Sequence, residues 1–293
     1  MSGRLCFANE PMKSIKHFLP GSVWTNMSET ALALFRAGID AVLPPSCVLC
    51  AEAKPVSDEN DDVKRLASRH WLCEPCEYAI VHSWPVSAVS CRFCGMPRPR
   101  EPVPPHDSAC ASCPEKAFQF DEVISLAIYQ QAVREAVVAA KLSKHSSLAT
   151  ALGILLGERV ANRCGDATPD LITYVPSHFT RRIQRRGMGG VASMAAAVAQ
   201  RLSKSAPPLL RLTRHVGKQS MLPDADRPEN VRGAFALKKS YAWQTSRNLR
   251  DQQILLVDDV LTTGSTASEI ASVLKNAGAA SVTLAVVARA VRR

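Results

Sequence analysis

The sequence has no long apolar run, few aromatic residues and, over one stretch, few acidic residues. A membrane helix needs about 20 consecutive apolar residues and a signal peptide needs a shorter apolar core, so we expect no membrane insertion, no secretory leader and a cytoplasmic location. Aromatic residues make up 5% of the chain, which disfavours an extended surface for stacking nucleic-acid bases. The apolar fraction of 46% over 293 residues still predicts a substantial core and more than one domain.

Cysteine, in contrast, is abundant, and most of it is regularly spaced. Eight of the ten cysteines form four Cys-x-x-Cys pairs. In a reducing compartment this spacing predicts metal ligands, because a two-residue turn lets both sulfur atoms face one Zn²⁺. Redox dithiols and free buried cysteines are the alternatives, and four repeats of one spacing disfavour both. The sequence therefore predicts two structural zinc ions bound by Cys47, Cys50, Cys73, Cys76, Cys91, Cys94, Cys110 and Cys113.

The pairing of these cysteines has two solutions. We favour sequential pairing, since the last two pairs have the separation of a zinc ribbon and the acidic stretch 52–62 between the first two is interpreted as a surface loop. An interleaved cross-brace would use the same ligands. The histidines among the pairs are interpreted as surface residues because the sulfur atoms complete both sites; they are His70, His82 and His106.

The most specific motif lies at residues 254–266, Ile-Leu-Leu-Val-Asp-Asp-Val-Leu-Thr-Thr-Gly-Ser-Thr. Four apolar residues predict a buried strand, Asp258 and Asp259 stand at its carboxyl end, and the Thr/Gly/Ser loop opens a helix. Backbone N–H groups at that helix start would point at an anion, which the macrodipole also favours. Thr266 and Glu269 fit a capping box. The motif predicts a phosphate and ribose site; the alternative is an ordinary loop whose Asp and Thr residues only cap the helix.

Basic residues dominate residues 174–232 and contribute to the net charge of +10. We expect this part of the chain to face a polyanion, either a pyrophosphate group or a nucleic-acid backbone. Arg185 and Arg186 follow a predicted strand and a proline turn, which favours a site there, whereas isolated basic residues are interpreted as solvated surface. The basic residues are Arg181, Arg182, Arg185, Arg186, Arg201, Lys204, Arg211, Arg214, Lys218, Arg227 and Arg232, against Asp224, Asp226 and Glu229.

Strands and helices are predicted to alternate over the second part of the chain. The predicted strands are 123–129, 171–175, 254–257 and 281–287, and the predicted helices are 132–142, 148–163, 188–202 and 265–276. This order predicts an α/β fold with a mainly parallel sheet and flanking helices, in which ligands bind beyond the carboxyl ends of the strands. The predicted organisation is a tail with a helix at 28–42 in residues 1–45, a zinc module at 46–116 and an α/β domain at 117–293.

The Asp-Asp motif resembles the signature that binds phosphoribosyl pyrophosphate (PRPP) in type I phosphoribosyltransferases. Within that superfamily the sequence is most similar to ComF proteins (competence protein F, GntX-like), over roughly residues 43–289. Val-Pro-Ser after Tyr174, followed by Arg182 and Arg185-Arg186-Gly187, resembles one family segment. A second resemblance runs from Gln219 to Phe235 through Arg227, Asn230, Val231 and Gly233.

The resemblance implies a type I phosphoribosyltransferase-like domain preceded by a double zinc ribbon. It implies that Asp258 and Asp259 bind the ribose hydroxyls and stabilise the positive charge that develops as pyrophosphate leaves. Mg²⁺ would bridge pyrophosphate and ribose. Arg185 and Arg186 would hold the pyrophosphate, and Lys141, after a helix that family members also end with Lys, is a further PRPP-binding candidate. The 5′-phosphate would be held by Thr262, Thr263, Gly264, Ser265 and Thr266.

One segment departs from the family pattern, and the sequence shows no recognisable binding segment for an acceptor. Family members usually continue Arg-Gly-Phe-Asn-Gln, whereas this chain has Met188, Gly189 and Gly190 after Arg186-Gly187, so the polar contacts of the Asn/Gln pair are absent. No segment specifies a nucleobase or ammonia as the acceptor of a phosphoribosyl group.

Three classes of function fit the sequence. The first and favoured class is an enzyme that transfers phosphoribosyl groups. The second is a DNA-handling factor of natural competence that binds single-stranded DNA and works with the competence machinery. The third is a regulatory PRPP-binding protein without turnover. The second class is supported by the basic surface and by aromatic residues near the cysteines, namely Trp71, Tyr78, Trp84 and Phe93.

Overall fold

The computed structural model describes residues 46–52, 72–99, 108–114, 118–142, 146–165, 167–176, 190–214, 227–239 and 249–291. The chain divides into two compact units, Met1–Cys73 and Glu74–Arg293. The predicted boundaries at residues 45/46 and 116/117 stay predictions, and the predicted helix 28–42 lies outside the described residues.

The described part of the first unit is a turn around the first cysteine pair. The Cys47 amide donates to the Glu52 carbonyl at 2.9 Å, and the Ala51 amide donates back to the Cys47 carbonyl at 2.9 Å. Two further amides, of Leu49 and Cys73, donate to the Cys47 sulfur at 3.4 and 3.3 Å. Hydrogen bonds from backbone amides to a sulfur favour its negatively charged form, as in a metal-binding turn.

The second unit contains the helices and strands that build the candidate site. In chain order, its described elements are α1 (Glu74–Val81), β1 (Ala88–Ser90), β2 (Pro97–Pro99), β3 (Glu122–Ile128), α2 (Gln131–Ala140), α3 (Ser146–Cys164), β4 (Leu171–Tyr174), α4 (Gly190–Arg201), β5 (Leu210–Leu212), α5 (Arg227–Val231), β6 (Phe235–Leu237), β7 (Gln253–Leu261), α6 (Ser265–Asn276) and β8 (Ser281–Arg289).

The central sheet of the described residues has four strands in the order β3-β8-β7-β4, and every neighbouring pair is parallel. The connection from β7 through α6 to β8 joins adjacent parallel strands, as a βαβ unit requires. The predicted α/β fold with a mainly parallel sheet is therefore confirmed. In a parallel sheet of this kind the carboxyl ends of the strands meet at one edge.

Helices cover both faces of this sheet. Side chains of α6 share a core with alternate residues of β7 and β8, including Ile254, Leu256, Val282 and Leu284. The intervening residues of these strands point to the opposite face, where α3 and α4 pack. Gly153 of α3 makes that packing close, because a Cβ there would lie 2.5 Å from the Met194 carbonyl oxygen of α4.

A small antiparallel pair, β5 and β6, stands beside α6 together with α5. The Glu269 carboxylate of α6 accepts a hydrogen bond from the Gly233 amide at 2.7 Å, just before β6. The predicted capping box is therefore wrong. Helix α6 begins with Gly264 as its N-cap, which has no side chain to bond the first amides, and Glu269 instead fixes the neighbouring hairpin.

The strand before the Asp-Asp motif is longer than predicted. The ladder between β7 and β4 ends at Val257, where the prediction placed the end of the strand. The ladder between β7 and β8 continues to Leu261 opposite Arg289, because β8 itself runs two residues beyond its predicted end. The helix predicted at 265–276 has those bounds in the structure.

Within the described part of the chain, the structure contains no helix with the length and apolar character that crossing a membrane requires.

Candidate functional site

Asp258 and Asp259 lie where β7 loses one of its two neighbouring strands. The last pair between β4 and β7 is Tyr174 with Val257, and the Val175 amide then donates to the Val257 carbonyl at 3.0 Å. Beyond this point β7 pairs only with β8 among the described strands. Both carboxylates therefore sit at the carboxyl edge of the sheet, in the position where open parallel sheets bind their ligands.

The two carboxylates have different surroundings. The Asp259 carboxylate forms an ion pair with Lys141, 3.0 Å from Nζ to Oδ2, while the Asp258 carboxylate accepts the Asp259 amide at 2.8 Å. Although Asp258 keeps some exposed surface, burial and the charge of Asp259 raise its pKa to about 8. The Asp259 amide and Lys141 oppose this shift only in part. The raised pKa favours a protonated Asp258 near neutral pH in the free protein, whereas a bound cation or hydrogen-bond donor would favour its ionised form.

The loop after these carboxylates has the backbone of an anion site. Gly264 adopts a left-handed conformation with φ of 83°, and its carbonyl accepts the Ser268 amide at 2.8 Å as the helix begins. The hydroxyl oxygens of Thr263 and Ser265 lie 3.1 Å apart. Together with the first amides of α6, these hydroxyls can donate hydrogen bonds to a phosphate at the positive end of the helix dipole.

Phe118, from the segment before β3, packs against Gly264 of this loop. A Cβ at Gly264 would lie 2.6 Å from Cε1 of Phe118, so this position requires glycine for space as well as for its backbone angle. Phe118 stacks on Phe120 at 4.6 Å between ring centroids, and the intervening Gln119 amide donates to the Ser268 hydroxyl at 3.0 Å. The segment before β3 therefore buttresses the start of α6.

The structure brings together Asp258, Asp259, Lys141 and the loop 262–266, which the sequence placed in one site. Arg185 and Arg186 lie outside the described residues. Sequence reasoning missed Phe118 and Arg289. The signal for Arg289 was a charged residue at the end of an otherwise apolar strand; its guanidinium is buried and bonds to the carbonyls of Leu261 and Thr262.

Gly190 gives the departure from the family pattern a structural reason. It is the first residue of α4, and a Cβ there would lie 2.6 Å from the Ala140 carbonyl oxygen at the end of α2. A glutamine could not occupy this position without separating the two helices. The glycine thus permits the close contact of α4 with the residue that directly precedes Lys141; Gly189 lies outside the described residues.

The eight paired cysteines form two groups of four, and within each group all sulfur atoms lie within 4.8 Å of one another. Sulfur–sulfur distances of 3.4 Å for Cys94 with Cys110 and 3.7 Å for Cys91 with Cys113 are close to the value of about 3.8 Å expected around a tetrahedral Zn²⁺ with bonds of about 2.3 Å. Both groups can hold zinc. The pairing is sequential, as favoured from the sequence, and the interleaved alternative is wrong.

The second group, Cys91, Cys94, Cys110 and Cys113, lies next to the antiparallel pair β1-β2. Its first turn is closed by the Gly95 amide bonding to the Cys91 carbonyl at 2.8 Å, with Gly95 at φ of 70°. A hydrogen bond from Cys94 lowers the pKa of Cys91 to about 3, and the same contact raises that of Cys94. Adjacent thiols can share a proton in this way, but four thiolates at this spacing require a cation.

Zinc analysis tests these groups. We expect two Zn²⁺ per chain, and Cys91→Ser should remove one, because three sulfur ligands leave the tetrahedral site incomplete. Cys164→Ser is the matched control, since Cys164 belongs to neither group, and it should keep both ions. Protein purified under reducing conditions that contains no zinc would rule out this assignment.

The raised pKa of Asp258 predicts a pH-dependent stability. Its ordinary value is 3.8, so between about pH 4 and 8 the folded state keeps a proton that the unfolded state has released. The stability is therefore fully present below pH 4 and falls as the pH rises towards 8. Asp258→Asn avoids this loss. We expect its Tm to exceed that of the wild type by roughly 2–8 °C at pH 9, about 1–2 kcal/mol, and by much less at pH 5. The exposed Asp251→Asn should show no such trend, and a pH-independent difference for Asp258→Asn would contradict the assignment.

Comparison with known proteins identifies the domain that contains residues 258–266. Residues 184–293 match the family model of the phosphoribosyl transferase domain. The chain is 31% identical over 222 residues to DNA utilization protein YhgH of Salmonella typhimurium, covering 74% of this chain and 90% of that protein. It is 26% identical over 231 residues to competence protein F of Haemophilus influenzae, covering 76% and 92%.

Among solved structures, glutamine PRPP amidotransferase from B. subtilis is 22% identical, with a TM-score of 0.33 and coverage of 48% of this chain and 26% of that chain. The identity to the Salmonella relative over nearly its whole length, the matched transferase domain and the two cysteine groups agree with one another. The chain therefore belongs to the ComF family, in which a domain of the type I phosphoribosyltransferase superfamily follows an N-terminal zinc module.

Proposed function

We propose that the protein binds Mg²⁺-PRPP at residues 258–266 and transfers its phosphoribosyl group. The observation that supports this most is the juxtaposition of two adjacent carboxyl groups, of which Asp258 has a raised pKa, with a helix whose N-cap, Gly264, has no side chain to bond its first amides. The carboxyl groups favour ribose hydroxyls and a cation, and the amides at the helix start favour a phosphate. PRPP offers a ribose between two anionic groups, so one ligand satisfies both.

The 5′-phosphate would occupy the N-terminus of α6. Donors there are the first backbone amides of the helix and the hydroxyls of Thr263 and Ser265, which already lie 3.1 Å apart. Thr262 is exposed and Thr266 partly exposed, so both side chains can reach a ligand on this side. Gly264, held against Phe118, keeps the turn tight enough for the amides to converge on one phosphate.

The carboxylates would act on the ribose. Asp258 and Asp259 accept hydrogen bonds from the 2′- and 3′-hydroxyls and stabilise the positive charge that develops on the sugar as the bond to pyrophosphate breaks. When bound, Mg²⁺ supplies charge neutralisation for the leaving pyrophosphate. Asp258 would lose its proton to solvent on binding, because the ribose hydroxyl and Mg²⁺ both favour its ionised form.

Lys141 would serve the pyrophosphate end of the ligand. Its ammonium group lies 3.0 Å from Asp259 and its side chain is 37% exposed, so it can turn to an arriving anion without a large change in burial. Arg185 and Arg186, which precede α4 in the chain, remain predicted pyrophosphate ligands. The bidentate guanidinium suits this group better than an ammonium does.

A second candidate function is binding of single-stranded DNA. The supporting observation is Tyr78 on α1, which is 62% exposed and stacks on His82 at 4.0 Å between ring centroids. This pair offers a flat surface to an unpaired base. Trp84, in contrast, is anchored by its indole N–H to the Leu126 carbonyl at 3.0 Å, and Trp71 lies outside the described residues. The relatives named DNA utilization protein and competence protein F also favour this candidate.

Thermal protection by Mg²⁺-PRPP tests the first proposal. We expect PRPP to stabilise the wild type, and the double variant Asp258→Asn, Asp259→Asn to bind it more than about tenfold more weakly, which is a loss of 1.4 kcal/mol. Asp251→Asn is the matched control on an exposed carboxylate and should bind normally. Equal protection of the double variant would disprove the site. Protection by PRPP that releases no pyrophosphate from it, whichever acceptor is offered, would favour a regulatory protein over an enzyme.

Binding of a fluorescent single-stranded oligonucleotide tests the second candidate. If Tyr78 stacks on bases, Tyr78→Ala should weaken binding by roughly 1–3 kcal/mol, with little change in its salt dependence, and should leave PRPP protection intact. Val86→Ala is the control, because Val86 is 92% exposed on the same unit but has no ring. Unchanged DNA affinity in Tyr78→Ala would remove this stacking surface from the account.

A further inference from the structure

We propose that Arg289 is a positioning residue that couples the second zinc group to the phosphate loop at 262–266. Zinc held by Cys91, Cys94, Cys110 and Cys113 would stabilise the loop through this residue, and a ligand on the loop would slow the loss of that zinc. The ligand part of this inference rests on the proposed binding of PRPP.

The guanidinium of Arg289 makes the link in space. Arg289 ends β8 and is 8% exposed. Its Nε donates to the Cys94 carbonyl at 2.8 Å, and Nη1 donates to the carbonyls of Leu261 and Thr262 at 2.9 and 2.6 Å. One planar group thus joins the backbone of a zinc ligand to the two residues at which β7 leads into the phosphate loop.

The zinc side of this link is closely packed. The Gly95 amide bonds to the Cys91 carbonyl, and a Cβ on Gly95 would lie 3.2 Å from Cδ of Arg289 and 3.0 Å from Cγ1 of Val123. The Val123 amide of β3 in turn donates to the Arg92 carbonyl at 2.6 Å. The cysteine turn therefore lies directly on the sheet, and the position of the Cys94 carbonyl depends on what holds the Cys94 sulfur.

The loop side is equally well defined. The Leu261 carbonyl also accepts the Ala290 amide at 2.9 Å, so the last residues of β7 and β8 are fixed together. Thr262 directly precedes the residues whose amides and hydroxyls would bind the phosphate in the proposed function. A shift of the Thr262 carbonyl would therefore turn the amides of Thr263 and Gly264 away from a common target.

A buried guanidinium makes this connection sensitive to either end. The buried charge of Arg289 is tolerated only while the guanidinium N–H groups have hydrogen-bond acceptors. Because the guanidinium is planar and rigid, these acceptors must lie in fixed directions. Loss of zinc leaves four closely spaced sulfur atoms with no cation, so the turn relaxes and the Cys94 carbonyl moves. Arg289 then loses an acceptor and the loop loses a restraint. Because coupling free energies are reciprocal, a ligand that fixes the loop must also strengthen the zinc group.

The first test needs no ligand. In the full-length zinc-loaded protein, Arg289→Lys keeps the positive charge but loses the planar guanidinium and its fixed N–H directions. We expect zinc to leave the second group at least about threefold faster with a chromophoric chelator, and the amides of residues 262–266 to exchange faster with deuterium. Cys50→Ser, which loses the first ion, identifies the kinetic phase of the second. Arg250→Lys is the control, because the Arg250 side chain is 79% exposed, lies 3.9 Å from Asp251 and precedes the start of β7, at the other end of that strand from the loop; it should leave both rates unchanged. An Arg289→Lys protein with wild-type zinc release or wild-type loop exchange would overturn the inference; Arg289→Met provides a second variant if the lysine protein does not fold.

The second test adds saturating Mg²⁺-PRPP. In the wild type it should slow zinc release from the second group by at least about fivefold and leave the first group unchanged, and Arg289→Lys should lose this effect. PRPP that stabilises the protein without slowing zinc release would refute the coupling and leave the proposed function intact. PRPP that fails to stabilise the wild type would refute the proposed function, and the ligand-free test would still decide the role of Arg289.

Discussion

The unequal pairing of β7 with its two neighbours determines the rest of the site. On one side the ladder with β4 stops at Val257, and on the other the ladder with β8 continues to Leu261. The strand therefore stays paired with β8 through Asp258 and Asp259, while none of the described strands pairs with its other edge there. If both ladders ended together, the carboxylates would sit on a flexible loop; if both continued, they would have no access to a ligand.

This arrangement has an energetic consequence. Two adjacent carboxyl groups at a partly buried strand end repel each other, and burial raises the pKa of Asp258 to about 8 although Lys141 lies beside Asp259. We therefore expect the free protein to be less stable at neutral and alkaline pH than it would be with an amide at position 258. Functional sites commonly have this property, because the interactions that they lack are those that the ligand supplies.

The parts of the site that the sequence predicted are local in the chain. The bounds of α6, the carboxyl pair and the two cysteine groups follow from short motifs whose spacing fixes their geometry. The capping box was wrong because Glu269 bonds to Gly233, a residue distant in sequence. Phe118 on Gly264 and Arg289 on Cys94 likewise join segments that only the tertiary fold brings together, so no spacing rule could identify them. Gly190 lacked a predicted role for the same reason.

The central claim is that a phosphoribosyl ligand binds with its phosphate on the amides at the start of α6. Deuterium exchange of the backbone amides, measured with and without saturating Mg²⁺-PRPP, tests it most directly. We expect marked slowing of exchange at residues 263–268, a smaller effect with ribose 5-phosphate, and no change on the surface helix α1. Unchanged exchange at residues 263–268, under conditions in which PRPP is bound, would contradict it.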